Sequence, residues 1–249
     1  MQFDIKPKER PILLNAEMVR AVLDGRKTQT RRIMKVQPSA DFCPMNMELE
    51  TDFTARWYTP GVVDKDGYLQ PAKKQVFGVA SEDEGYTCPF GAVGDRLWVR
   101  EKTRVDLLLQ NHRAHVRYEA DGEYRIVSVP ERIKPMVEGS CMSNGCYREA
   151  SRITLEITGV RVERLSSISE EDSASEGVGS AVWFAAKGVP EEKWTSLGEH
   201  GAYRASHINS FASLWESIYG ADSWQANPWV WVIEFKRVED EHAYSPDAG

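Results

Sequence analysis

The chain has 249 residues, of which 41% are hydrophobic and 28% charged, with a formal net charge of -7. That composition excludes a largely disordered chain and allows one large domain or two small ones. No apolar stretch at the start resembles a signal peptide and no apolar run is long enough to cross a bilayer, so a cytoplasmic protein without a membrane partner is expected.

The first element is a helix after Asn15. Asn15 serves as N-cap, Leu14 is placed to staple onto Val19, and Glu17 sits in the first turn, where the helix dipole favours an anion. Met18, Val19, Val22 and Leu23 form its apolar stripe, and Gly25 can leave it with φ > 0. The helix delivers Gly25-Arg26-Lys27-Thr28-Gln29-Thr30-Arg31-Arg32. Between Arg20 and Lys35, six basic residues face Asp24 alone, so a local positive field survives in an acidic protein. The segment suits a phosphate or nucleotide partner, and reads equally as a solvated basic face.

From Gln37 to Phe90 the periodicity fades under repeated Pro and Gly punctuation, and a loop-rich insertion with short strands is expected, one of them around Arg56-Trp57-Tyr58. Lys73, Lys74, Trp57 and Tyr58 either extend a nucleic-acid surface or, preferably, anchor the insertion to the core. After the turn at Gly94-Asp95, the run Arg96 to Glu101 alternates as a strand, with Leu97, Val99 and Glu101 on one face and Arg96, Trp98 and Arg100 on the other. Segments 114–118 and 124–129 read as a hairpin across Asp121-Gly122. Cys43, Cys88, Cys141 and Cys146 are either scattered free thiols or, with poor spacing, a zinc set; His112 and His115 read as surface or strand histidines.

In 151–162 the apolar set Ile153, Leu155, Ile157 changes phase to Val160 and Val162, which across Thr158-Gly159 is the mark of a β-bulge. Ser169-Glu170-Glu171-Asp172 resembles a capping box opening a short helix that Gly177 closes, leaving Glu176 in a last turn that disfavours negative charge. Residues 179–207, with Trp183, Phe184 and Trp194, read as a second insertion or lid. Phe211, Leu214, Trp215 and Ile218 give a helix closed by Gly220, and Trp229 to Val238 a buried final strand in which Trp229 and Trp231 belong to the core. The tail from Glu239 is acidic and frays.

Four segments in order, Gly25 to Arg31, Gly94 to Val99, the helix region Leu165 to Gly177, and Trp231 to Lys236, resemble the ASCH domain of the PUA-like superfamily, in a form similar to phage and prophage proteins. The carrying signature is Gly-x-Lys-x-x-Thr-x-Arg. The resemblance implies a mixed α+β fold: a PUA-like β-barrel with flanking helices, one domain over 1–238 with insertions at about 37–90, 104–150 and 178–209, and a tail over 239–249. Small bacterial members are amidohydrolases that deacetylate N(4)-acetylcytidine with a lysine, a threonine and a glutamate, which match Lys27, Thr30 and Glu176. Arg26, Thr28, Arg31, Arg32 and Lys35 are then expected to hold substrate or phosphate, with no metal or other cofactor required. Other members of the superfamily read RNA or modified bases without turnover, and a phage assembly role is a further alternative. Residues three apart on an extended strand face opposite ways, so Lys27 and Thr30 meet only if Lys27 belongs to the turn after Gly25.

Overall fold

The structure, a computed structural model, describes residues 7–133, 137–142, 145–178 and 207–238. It is mixed α+β, mostly sheet with few helices, and divides into two compact units. Among the described residues, the first unit comprises those of 7–24, 93–158 and 235–238, the second those of 25–92 and 159–234.

In the first unit, β1 (Glu9–Leu13) pairs in parallel with β8 (Arg96–Arg100), which pairs antiparallel with the opening residues of β12 (Thr154–Arg164). The buried face of these strands carries Ile12, Leu97, Val99, Leu155 and Ile157. Helix α1 (Ala16–Leu23) follows the expected design: Asn15 accepts a hydrogen bond from the Met18 amide at 2.9 Å, and Met18, Val19 and Val22 are buried. A second sheet, in the order β11-β10-β9, is built from β9 (Thr103–Leu109), β10 (Arg113–Tyr118) and β11 (Tyr124–Ser128). Val105, Ala114, Val116 and Val127 give it a small core of its own with Cys146 and Ala150. Segment 104–150, expected as insertion, therefore contains the anticipated hairpin plus one more strand.

In the second unit, the later part of β12 lies beside β13 (Trp229–Val238), which pairs antiparallel with β2 (Gln29–Ile33). The 37–90 region supplies short strands: β3 (Arg56–Tyr58), β6 (Val76–Ala80) and β7 (Gly85–Thr87) form one small sheet, and β4 (Gly61–Val63) with β5 (Leu69–Pro71) a hairpin. Trp229 is buried as expected, stacked on Phe53 at 6.0 Å and met edge-on by Phe42 at 5.5 Å. Helices α2 (Glu170–Ser175) and α3 (His207–Tyr219) complete the unit, α3 burying Phe211, Leu214 and Trp215 but leaving Ile218 exposed.

The phase change along β12 is present as burial: Leu155 and Ile157 are inside, Thr158 is exposed, then Val160 and Val162 are inside. Residues 154–156 pair with β8, whereas Val160 and Val162 bond to Ala55 and Phe53. Gly159 sits so close to β13 that an added Cβ would stand 2.7 Å from an Oε of Glu234.

The expected barrel is not formed, since every sheet among the described residues is open. At β2 the reason is local. The chain just ahead of it is met by the end of α2, through a bridge between Lys27 and Glu176 and a 2.9 Å bond from the Thr28 amide to the Ser175 carbonyl, instead of by another strand. No described helix is long and apolar enough to cross a membrane.

Candidate functional site

Two local devices bring Lys27 and Glu176 together. Gly25 adopts φ +73°, a conformation that L side chains rarely take, and turns the chain out of α1. On the other side, Ser169 Oγ accepts from the Asp172 amide at 3.0 Å to start α2, and Gly177 at φ +84° turns the chain away after Glu176. Lys27 Nζ donates to the Glu176 backbone carbonyl at 2.9 Å and to its carboxylate at 2.7 Å. The amine therefore meets the carbonyl end of α2, where the dipole favours a cation. This also answers why a carboxylate stands in so poor a place: it has cationic partners. The side chains of Lys27 and Glu176 are 0% and 2% exposed.

Arg31 ties the rest together. Its guanidinium reaches Glu176 at 3.1 Å, Asp172 at 2.9 Å and Glu163 at 2.8 Å, and Phe211 lies 5.9 Å from the guanidinium carbon. Gln29 donates to the Asp172 carbonyl at 2.7 Å. Arg161 bonds Asp172 at 2.7 Å and also pairs with Glu234. Lys27, Gln29 and Arg31 are spaced by two, so an extended chain points all of them toward α2.

Burial dominates the electrostatics. It pushes the Lys27 amine below its ordinary 10.5, against the pull of Glu176, and Arg31 and Arg32 lower it further. Burial also opposes the charge on Arg31, but Glu176, Glu163 and Asp172 more than reverse it, so the guanidinium stays firmly cationic. At Asp172 burial works against the carboxylate, and Arg161 and Arg31 outweigh it, holding the group below the usual range. The cluster thus contains a permanent cation, Arg31, and beside it an amine whose charge burial disfavours and Glu176 supports. A proton can pass between that amine and the Glu176 carboxylate 2.7 Å from it, while Arg31 only holds the carboxylate.

The other expected residues are distributed differently. Thr30 is buried on β2 opposite Ile233, and strand alternation places it on the face away from Gln29 and Arg31. Thr28 is exposed. Arg26 is exposed and donates to the Gly177 carbonyl at 2.9 Å, Arg32 is half-buried opposite Trp231, and Lys35 is exposed just beyond β2. Trp57 is 54% exposed, with its ring 5.6 Å from that of Phe77. Trp183, Phe184, Trp194, the remainder of that insertion and the acidic tail lie outside the described residues.

The zinc alternative is corrected: among the described residues no group of three or more His, Cys, Asp or Glu side chains is placed to hold a metal ion. All four cysteines are free thiols, with Cys43 against the Thr51 hydroxyl, Cys141 against Glu119 and Cys146 against the Val99 carbonyl. His115 packs its ring 4.6 Å from Tyr124.

Sequence reasoning missed Gln29, Arg161, Glu163, Asp172 and Glu234 as members of the cluster. Asp172 had drawn notice only as part of a cap, yet its backbone amide serves the cap and its carboxylate serves the arginines. The usable signal for the others was polar alternation: Arg161 and Glu163 alternate with the buried Val160 and Val162, on the opposite face of β12.

Compared with protein-family models, with curated proteins and with solved structures, the chain matches none of them.

Proposed function

We propose that this protein is an ASCH-type, PUA-like member that handles a nucleoside, nucleotide or nucleic acid in the cytoplasm, and that Lys27 and Glu176 form an amide-hydrolysing centre for an acylated cytosine-type base. The observation that carries the reading is the 2.7 Å contact between the buried Lys27 amine and the Glu176 carboxylate. It joins the two segments whose resemblance to the amidohydrolases was noted from sequence.

In this reading the neutral Lys27 amine takes a proton from water, whose oxygen attacks the acyl carbon. The C–N bond then breaks as the Glu176 carboxylate takes that proton from the Lys27 ammonium 2.7 Å away and passes it to the departing exocyclic nitrogen, leaving a carboxylic acid and the free amine of the base. Arg31 holds Glu176 in place, and Arg26 and Lys35, both exposed, are the residues this reading assigns to phosphate. Thr30 belongs to the centre only if its hydroxyl reaches the Lys27 side of the strand.

The experiment is acetate release from N(4)-acetylcytidine by the purified full chain. Release that Lys27→Met stops and the exposed-site control Lys65→Ala leaves running supports the centre, and unchanged turnover in Thr30→Val removes threonine from it. No release from the nucleoside or from acylated oligonucleotides overturns the hydrolase.

A second reading is favoured by the near-complete burial of the Lys27 and Glu176 side chains and by the exposed indole of Trp57. Here the ion pair fastens α2 to the chain ahead of β2, and the protein reads RNA or modified bases without turning them over. Salt-dependent oligonucleotide binding without acetate release selects it.

A further inference from the structure

Strand β8 carries an alternation that the Lys27 cluster leaves unused. Leu97 and Val99 are fully buried, whereas Arg96, Trp98 and Arg100 lie half-buried on the opposite face. Register fixes their neighbours: Glu9, Pro11 and Leu13 of β1 stand beside Arg96, Trp98 and Arg100, and Thr154 and Glu156 of β12 beside Trp98 and Arg96. On the β1 side Pro11 is exposed and Leu13 is 55% exposed, whereas on the β12 side Thr154 is buried, so the half-buried indole opens toward β1. A guanidinium-bearing residue stands on each side of it, about 7 Å away along the strand.

The carboxylates nearby are already engaged. Glu9 is paired with Arg148 at 2.9 Å, Glu156 with Lys236 at 2.8 Å and Asp95 with Arg10 at 2.9 Å. Arg96 Nε and Arg100 Nε are both buried with no hydrogen-bond partner. A buried donor without an acceptor is costly. Among the described residues neither guanidinium pairs with a carboxylate, so the strand carries two uncompensated cations, one on each side of an aromatic, which phosphate would complement.

We propose that the Arg96-Trp98-Arg100 face binds single-stranded nucleic acid, with a base stacked on Trp98 and the flanking phosphates held by Arg96 and Arg100. An indole offers a π-face to any base, and arginine matches phosphate with a bidentate fork. The alternate-residue step of the strand suits the repeat of an extended polynucleotide better than a compact anion. The inference deepens the nucleic-acid part of the function proposed above and is independent of the Lys27 chemistry.

The test is fluorescence anisotropy of labelled oligouridylate and oligothymidylate with the full chain over a range of salt. Trp98→Ala is expected to weaken binding about tenfold or more, and Trp98→Phe to restore most of it. Arg96→Ala and Arg100→Ala each flatten the log-log salt dependence by about 0.7. Wild-type binding that all the β8 variants retain overturns this face while leaving nucleic-acid handling intact. Absence of wild-type binding together with acetate release from the nucleoside overturns this face alone; absence of both overturns the functional reading as well.

Discussion

Each unit of the molecule buries a carboxylate against a cation, and the two solutions differ in the cation chosen. In the first unit, Arg152 grips Glu101 with both arms of its fork, at 2.8 and 2.9 Å, and adds Asp121 at 2.7 Å and Glu123 at 2.8 Å. The Tyr118 ring lies 4.1 Å from its guanidinium carbon, and the Tyr118 hydroxyl donates to the Ala150 carbonyl at 2.9 Å. Burial raises Glu101 above the usual carboxylate range despite Arg152, and pushes the nearby Cys146 thiol up to about 11. In the second unit the innermost cation is a lysine, with Arg31 behind the carboxylate. A guanidinium in a planar fork is charged at every accessible pH, whereas a buried ammonium is a point charge that burial urges to dissociate. The cation of the first cluster keeps its charge, and that of the second is able to change state.

The sharpest way to break this contrast is Arg152→Ala. It leaves Glu101 buried without its bidentate partner and is expected to cost about 3–5 kcal/mol, measured by urea unfolding. Lys27→Met is expected to cost less, about 1–3 kcal/mol, because Glu176 keeps Arg31 at 3.1 Å. Equal losses from the two substitutions would erase the distinction. If Lys27 is the base of a hydrolase, the same variant loses about 100-fold or more in turnover.

A pH series separates the clusters by sign. Because the folded-state pKa of Lys27 lies below 10.5, the unfolded chain binds the extra proton between the folded value and 10.5, so this group's contribution to stability rises with pH across that window. Glu101 is raised above 4.5, so the folded chain holds the extra proton between 4.5 and its folded value, and its contribution falls as pH increases there. Melting temperatures of wild type and Lys27→Met between neutral pH and 10.5 should diverge, the variant lacking the alkaline rise; parallel curves would remove the titrating amine. Ser169→Ala, which deletes the cap of the helix presenting Glu176, is the mildest change, at about 1 kcal/mol. It should lower stability while leaving the Arg152 cluster's response to pH untouched.

How much of this was legible beforehand depended on whether a feature was local. The Asn15 cap, the turn at Gly25, the Ser169 cap and the alternation of β8 are decided by residues within one turn or strand, and all are present. The change of phase in β12 was equally readable, because it is a count of apolar positions. Closure into a barrel was not, since it depends on which partner takes the edge by β2, and the end of α2 takes it. Within the site, nothing in the local pattern could reveal that Arg31 gathers Glu163, Asp172 and Glu176 from far along the chain. Thr30 shows the limit from the other side: its place in a motif suggested partnership with Lys27, while the two-residue period of the strand argues for Gln29 and Arg31 instead.

The tight fit of Gly159 against Glu234 reaches further than its own strand. A single methyl group there would displace a carboxylate that holds Arg161, which in turn steadies Asp172 beside Arg31. Tolerance at an unremarkable backbone position is thereby set by charges several side chains away. An alanine variant at that glycine would part Glu234 from Arg161 before it loosened the sheet, a loss that unfolding would register without any change in strand pairing.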